Sequence, residues 1–255
     1  MSSNEREVTC PSGLSGVVRG LRGTDIRAMS DRSAVKSGAA FEAMLASCWV
    51  RTTSDGPCYN FPEGKVDWSK VLVGDRMYVL LQIRLATYPG EAYPFKIKCP
   101  DCLDPIDWEV DLNLLHVKQL TPSAAATYKT GNEFPFKLDT GLQGSFRLMT
   151  GDDERRTRKR ALGNGGSVDV INVLKERIVS LDGKTDQWSI EKTLLDMGAA
   201  EHRDMIAAFD EHDCGVETTI EVRCACGTET EVQLPFDQGF LIAKPKKKQT
   251  SATAQ

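Results

Sequence analysis

The chain has 255 residues, of which 40% are hydrophobic and 27% are charged, and its formal net charge is −4 at pH 7. This is an ordinary globular composition, and it excludes the strongly basic field that drives non-specific binding to nucleic acids. No run approaches the roughly 18 consecutive apolar residues of a membrane helix, and the N-terminus lacks the pattern of a secretory signal. We therefore expect a cytoplasmic protein whose cysteines stay reduced.

The first third of the chain predicts an arm followed by helices. Residues 1–22 are polar and rich in glycine, which predicts an extended N-terminal arm that becomes ordered on docking. Residues 23–92 predict a helical region, with apolar periodicity over 38–50 and a loop over 52–65. The apolar helix that follows is hydrophobic on most of its sides, which places it in the interior of the protein.

Two polar residues of that helix lead to specific expectations. Asp75 stands at its start, where a carboxylate is typical of a helix N-cap. Arg84 lies inside the apolar run and needs a partner if it is buried. We predict that Arg84 pairs with an acid, either Asp75 or Glu91.

The rest of the chain predicts hairpins, an insertion and a tail. Residues 93–116 and 214–236 alternate polar and apolar side chains on both sides of a cysteine pair, which is typical of antiparallel hairpins. Residues 117–213 are predicted to form an insertion, with a β-hairpin over 134–149. Its helices are predicted over 152–162, 168–179 and 190–209, with breaks near 163–166 and Gly198. Residues 237–255 predict a flexible basic tail.

The two cysteine pairs predict a structural zinc site. Zinc takes four tetrahedral ligands, and two short pairs at facing turns supply them with little backbone strain. The predicted zinc knuckles span 99–102 and 224–226, so the metal joins segments far apart in the chain. The ligands are Cys99, Cys102, Cys224 and Cys226.

The second pair has the spacing Cys-x-Cys, which is one residue shorter than usual, so Cys214 or His212 remains an alternative ligand. Reduced thiols without metal are a second interpretation. Redox chemistry needs a strand-to-helix context, whereas a strand is predicted after Cys102. Taken together, the elements predict an α+β fold, a helical body with small antiparallel hairpins that form a zinc ribbon.

No catalytic motif is recognisable. The segment 183–185 resembles the end of a phosphate loop, but Ile178 stands where a glycine is required. None of the three histidines lies beside a plausible nucleophile in sequence. The basic run 155–160 directly follows the acidic residues 152–154, and we interpret it as a mixed-charge helix rather than a phosphate-binding surface. We therefore predict that the protein is not an enzyme.

Several segments resemble a known family, the baseplate proteins of contractile-tailed phages of the T-even type and of related prophages. The resemblance covers roughly residues 10–240. It rests on residues 11–16, 19–21, 74–88, 99–102, 107–112, 146–154 and 224–227, of which the central segment is the most specific.

This resemblance implies a structural or assembly protein of the tail baseplate, present in the virion and in the host cytoplasm during assembly. It implies other tail and baseplate proteins as partners, with the tape-measure protein as a further candidate. It does not imply a membrane, a nucleic acid or a small-molecule substrate as a partner. A zinc-ribbon module that binds nucleic acid, and a tail assembly chaperone that acts with the tape-measure protein, remain alternatives.

Overall fold

The computed structural model describes residues 4–163, 170–234 and 238–242. In these residues α-helices are combined with small antiparallel sheets, which confirms the predicted α+β class. The predicted break at 164–166 and the lysine-rich residues 244–248 of the predicted tail lie outside the described residues. The flexible tail predicted from residue 237 is wrong at its start, because Gln238–Leu241 form a helix and Phe240 is fully buried.

The described helices are α1 (Gly23–Ala28), α2 (Arg32–Ser37), α3 (Ala39–Cys48), α4 (Val73–Thr87), α5 (Pro122–Thr130), α6 (Gly151–Gly163), α7 (Val170–Arg177), α8 (Gln187–Asp196), α9 (Ala199–Asp210) and α10 (Gln238–Leu241). The described strands are β1 (Glu5–Thr9), β2 (Ser15–Arg19), β3 (Trp49–Ser54), β4 (Tyr93–Lys98), β5 (Pro105–Val110), β6 (Val117–Lys118), β7 (Phe134–Lys137), β8 (Gln143–Phe146), β9 (Ile178–Leu181), β10 (Gly215–Val216), β11 (Thr219–Arg223) and β12 (Glu229–Gln233). Short 3₁₀ helices span Pro62–Gly64 and Leu112–Leu114.

The N-terminal segment is part of the folded body, so the expected extended arm is wrong. Strands β1 and β2 form a hairpin, and β3 adds to β2, which places a strand where a loop was expected. Leu14 and Val18 of this sheet are fully buried. A Cβ atom at Gly16 would lie 2.3 Å from the Trp49 ring, so glycine is needed for this close packing. The glycines that suggested an arm therefore permit close contact with the core.

Helix α4 is buried on most of its surface, as predicted, and it contacts the N-terminal sheet, α3, α6, α10 and β10. The predicted acidic partner of its buried Arg84 is wrong. The guanidinium Nη1 donates to the backbone oxygen of Phe240, 2.7 Å away, and the group lies 4.3 Å from the centre of the Tyr88 ring. Aromatic rings and a carbonyl can hold a buried guanidinium without a direct ion pair to a carboxylate. Arg84 therefore fastens the C-terminal helix α10 to the body.

Asp75 is buried in the first turn of α4 and is not the N-cap, which is Leu72. One oxygen of Asp75 accepts a hydrogen bond from the backbone N–H of Ser12 at 3.0 Å. The other accepts from the Ser12 hydroxyl and from the Tyr59 hydroxyl, the latter at 2.6 Å. Burial raises the pKa of Asp75 above its usual value, although these hydrogen bonds oppose the rise. The carboxyl group thus joins three segments that are distant in sequence.

The insertion contains the predicted hairpin of β7 and β8. The helix predicted over 168–179 is shorter, because α7 ends at Arg177 and β9 then pairs with β8. The helices predicted over 190–209 are confirmed as α8 and α9, with Gly198 as the N-cap of α9. Phe146 and Phe209 stack with ring centres 4.0 Å apart, which joins the sheet to α9.

A single hydrophobic core contains residues from Val8 to Leu241, so the insertion packs into the same interior as the helical region. A second, smaller cluster lies between the two cysteine-bearing hairpins and is centred on Ile106 and Val222. The hairpins therefore have a core of their own.

The first prediction concerns Asp75. Replacing it with Ala leaves the Ser12 N–H and the Tyr59 hydroxyl without their acceptor, so we expect a loss of about 2 kcal/mol in the free energy of unfolding. Asp75→Asn keeps part of the hydrogen bonding and should cost less. The measurement is urea unfolding at pH 7.

The same variants test the raised pKa. A carboxyl group whose pKa is higher in the folded than in the unfolded protein adds stability at pH values below the pKa of the unfolded state. This added stability is lost as the pH rises through the pKa of the folded state. Wild type should therefore gain stability relative to Asp75→Asn when the pH is lowered from 7 to 4.5. An unchanged difference between the two proteins would show that Asp75 has an ordinary pKa.

The second prediction concerns the crossing of α4 and the backbone before β10. A Cβ at Gly74 would lie 1.9 Å from the carbonyl oxygen of Cys214, whereas a Cβ at Gly23 would have no neighbour within 4 Å. Gly74→Ala should lower the free energy of unfolding by roughly 2 kcal/mol or more. Gly23→Ala is the matched control and should change it by less than about 0.5 kcal/mol. Equal effects of the two substitutions would contradict this close approach.

Candidate metal centre

The first cysteine pair lies in the turn between β4 and β5. The backbone N–H of Cys99 donates to the Asp104 oxygen at 2.9 Å, and the N–H of Leu103 donates to the Cys99 oxygen at 3.1 Å. Leu103, directly after Cys102, has a φ of 63°. A positive φ is unusual for leucine. The backbone of the turn holds Leu103 in this conformation, and its side chain is 70% exposed.

The second pair lies in the turn between β11 and β12 and repeats this arrangement with one residue less. The N–H of Cys224 donates to the Thr228 oxygen at 2.8 Å, and the N–H of Gly227 donates to the Cys224 oxygen at 2.9 Å. Gly227, directly after Cys226, has a φ of 96°, which glycine adopts without strain. The shorter hydrogen-bonded turn explains how the Cys-x-Cys spacing still brings both sulfur atoms to one side.

The two turns face each other and bring the four predicted cysteines together. The Sγ atoms of Cys99 and Cys226 are 3.7 Å apart, and those of Cys102 and Cys224 are 3.6 Å apart. All four Sγ atoms lie within 4.8 Å of one another. A zinc ion with Zn–S bonds of about 2.3 Å requires sulfur atoms about 3.8 Å apart at the corners of a tetrahedron. The separations are far longer than a disulfide bond of about 2.05 Å. The donor set therefore fits a metal ion bound by four thiolates.

The centre is buried on one side and open on the other. Cys99 and Cys224 are buried against Ile106 and Val222, whereas Cys102 and Cys226 are exposed. A second contact joins the turns, because the Thr228 hydroxyl donates to the Asp101 carboxylate at 2.6 Å and lies 3.3 Å from the Cys226 sulfur. Sequence reasoning missed Asp101 and Thr228, although their position inside the two turns was a signal.

The four thiols of the cluster differ in pKa. Hydrogen bonding with the side chain and backbone of Thr228 lowers the pKa of Cys226 to about 6, and the backbone N–H of Cys102 helps to lower the pKa of Cys99. The backbone N–H of Asp104 favours the ionised form of Cys102. Desolvation and the neighbouring thiols nevertheless disfavour this form, and together they raise the pKa of Cys102 to about 12. The pKa is thus lowered for two of the four thiols and raised for Cys102 and Cys224, and a bound divalent cation would favour the thiolate form of all four.

The alternative ligands lie elsewhere. The His212 ring packs against Phe134, with ring centres 5.2 Å apart. Cys214 belongs to the backbone crossing with Gly74, and burial raises the pKa of its thiol. Within the described part of the chain, the group of side chains that could hold a metal ion consists of the four predicted cysteines.

The sequence predicted a solvated mixed-charge helix for the basic run in α6, but several of its arginines pair with buried carboxylates. Buried Glu176 contacts Arg147, Arg156 and Arg160, and buried Asp153 contacts Arg147 and Arg156. These guanidinium groups pack α6 against α7 and β8, which weakens the nucleic-acid alternative.

The fold and the centre define the class of this protein: an α+β protein whose paired hairpins carry a four-cysteine cluster that could hold a metal ion. Within the described residues, no helix has the length and apolar character needed to cross a membrane. The model of the family described as T4 bacteriophage base plate protein matches residues 58–242, so the chain belongs to this family. The matched range contains both cysteine pairs and begins after the N-terminal hairpin, on which part of the resemblance rested. No curated protein and no solved structure matches the chain significantly.

The third prediction is that metal binding depends on this cluster. Wild-type protein should contain about one zinc ion per chain, and Cys99→Ser/Cys224→Ser should contain none, because two thiolates do not hold a tetrahedral ion. The measurement is elemental mass spectrometry together with thermal unfolding. A chelator should lower the Tm of wild type but not that of the variant.

Cys48→Ser/Cys58→Ser is the control, since it removes two thiols outside the cluster and should keep the metal. Freshly reduced wild-type protein that contains no metal would contradict the assignment.

Proposed function

We propose that this chain is a non-catalytic structural or assembly protein of a contractile phage tail baseplate, acting at the hub or during baseplate assembly and stabilised by a structural zinc ion. The observation that carries the proposal is the family match over residues 58–242, which includes both cysteine pairs. The proposed ligands are Cys99, Cys102, Cys224 and Cys226.

The chemistry of the donor set supports zinc in a structural role. Four thiolates at tetrahedral separations suit zinc and leave no coordination position for a substrate or an activated water. The ligands come from β4–β5 and β11–β12, which are separated by the whole insertion, so binding of the ion ties the two ends of the insertion together. In the proposed role, zinc makes the ribbon rigid enough to hold neighbouring subunits.

The chemistry of one mainly apolar cleft supports a non-catalytic role. It lies between α4 and β10, and its charged groups are Arg177 and Asp213, which pair at 2.8 Å. Cys214 also lines this cleft, and burial raises the pKa of its thiol, so it stays protonated at neutral pH. An ion pair and a protonated thiol supply neither an activated nucleophile nor a free general base.

The proposed partners are other proteins of the tail and baseplate, with the tape-measure protein as a further candidate. The proposed location is the baseplate of the virion, with the host cytoplasm as the place of assembly. A baseplate subunit binds several neighbours at once, and a rigid body with several surfaces suits this requirement.

The fourth prediction tests this role in the phage that encodes the chain. A nonsense mutation in the gene should give particles without complete baseplates, and the wild-type gene supplied in trans should restore them. The measurements are electron microscopy of lysates and mass spectrometry of purified tails. Detection of the chain in purified tails indicates a baseplate component, whereas its absence from tails that need it indicates an assembly factor. Normal baseplates in the mutant would contradict both roles.

Complementation with variants links the metal to this role. Cys99→Ser/Cys224→Ser should fail to restore baseplates, while Cys48→Ser/Cys58→Ser should restore them at least in part. Full complementation by the first variant would show that the metal is dispensable for assembly.

A further inference from the structure

Each turn of the cysteine cluster carries one buried and one exposed cysteine. Cys99 and Cys224 are buried, whereas Cys102 and Cys226 are exposed. The Sγ of exposed Cys226 lies 3.7 Å from that of buried Cys99 in the other turn. The Sγ of exposed Cys102 lies 3.6 Å from that of buried Cys224 in the other turn. We name Cys99–Cys226 and Cys102–Cys224 the cross-turn pairs, because each of them joins the two hairpins.

This arrangement places an accessible sulfur beside a second sulfur that can react with it. An oxidant in solution reaches an exposed cysteine, and the first product, a sulfenic acid, condenses with a neighbouring thiol to give a disulfide. The sulfur atoms of a disulfide are about 2.05 Å apart, so each cross-turn pair has to close by less than about 2 Å. Cys10, Cys48 and Cys58 are buried in the main core and lack the exposure that the first step requires.

Contacts that do not involve a bond between sulfur atoms also join the two turns. The Cys226 sulfur lies 3.3 Å from the Thr228 hydroxyl, and this hydroxyl donates to the Asp101 carboxylate of the other turn at 2.6 Å. Ile106 of one hairpin and Val222 of the other belong to the apolar cluster around the buried cysteines. These contacts favour disulfide bonds between the turns.

We propose that the cysteine cluster is a site of reversible oxidation, at which hydrogen peroxide converts the cross-turn pairs into disulfides that link the two hairpins covalently. The exposed sulfur, as a thiolate, attacks one oxygen of the peroxide, the O–O bond breaks, and a sulfenic acid and a hydroxide ion form. The thiol of the buried partner then attacks the sulfenic sulfur, and the S–S bond forms. The sulfenic hydroxyl leaves as water with the proton of that thiol, so each pair gives two electrons to one peroxide molecule.

Oxidation and metal binding exclude each other at this site. Zinc binds thiolates, so the two disulfides remove all four proposed ligands and replace the ion as the link between the hairpins. The biological setting rests on the proposed function, because a particle that leaves the host meets a medium in which disulfides persist. The oxidation itself rests only on the four cysteines.

The test uses the full wild-type chain, treated with hydrogen peroxide, alkylated and digested with trypsin without reduction. Cleavage after Lys98, Lys118 and Arg223 places the two cysteine-bearing turns in separate peptides. In the monomeric fraction we expect mass spectrometry to find these two peptides joined, and dithiothreitol to separate them. A chromogenic chelator should detect the release of about one metal ion per chain during the oxidation. Disulfides within each turn, or sulfinic acids without disulfides, would overturn the proposal.

Two matched double variants test the role of exposure, since each removes two of the four proposed ligands. Cys99→Ser/Cys224→Ser keeps the exposed thiols, and Cys102→Ser/Cys226→Ser keeps the buried ones. The first variant should lose free thiols to peroxide roughly tenfold faster than the second. Equal rates would contradict the role of the exposed sulfur atoms.

A measurement on wild type does not depend on the folding of these variants. With less than one equivalent of peroxide, dimedone should label Cys102 and Cys226, the exposed residues, as sulfenic acids. Labels on Cys99 and Cys224 instead would overturn the proposed order of the two steps.

Failure of this proposal and failure of the proposed function are distinguishable. If peroxide gives no link between the two peptides, the cluster is not the proposed oxidation site, although the role in the baseplate stands. If the peptides are linked but the phage mutant assembles normal baseplates, the proposed function falls and the oxidation of the cluster stands.

Discussion

The burial of α4 is the constraint on which the rest of this structure depends. A helix surrounded by protein must pair its polar groups with other segments, because water cannot reach them. Asp75 binds the N-terminal turn and the loop that carries Tyr59, while Arg76 donates to the Trp68 oxygen at 2.6 Å and pairs with Glu154 of α6 at 3.2 Å. Arg84 holds α10 through the Phe240 oxygen. Each contact joins α4 to a different part of the chain, so these polar residues arrange the body around one helix.

The cysteine centre has a complementary role at the periphery. The paired hairpins have only a small apolar cluster of their own, and small units with so little buried surface usually need a cross-link. The four sulfur atoms lie at separations that suit a metal ion, and the hydrogen bond between Asp101 and Thr228 already aligns the two turns. This hydrogen bond joins the two turns independently of the cysteines.

Charge is mostly used for internal packing in this protein. The arginine-rich helix α6 makes its contacts with buried Asp153 and Glu176 rather than presenting a continuous basic surface. Removing one partner of such a network leaves the others buried without compensation, so the network fixes the position of α6 more than it adds stability. The exposed apolar residues of α8, Trp188 and Leu195, contrast with this arrangement.

The sequence by itself determined the elements that have a strong local pattern. Alternation around the cysteine pairs defined both hairpins and the four candidate ligands, and apolar periodicity defined α3, α4, α8 and α9. Only the tertiary structure decided the role of the N-terminal residues, the partner of Arg84 and the buried position of Asp75. The physical reason is that each of these depends on a segment far away in the chain: β2 pairs with β3, Arg84 binds the Phe240 carbonyl, and Asp75 binds Ser12 and Tyr59. Local patterns report which residues become helix or strand, but long-range contacts decide which of them meet.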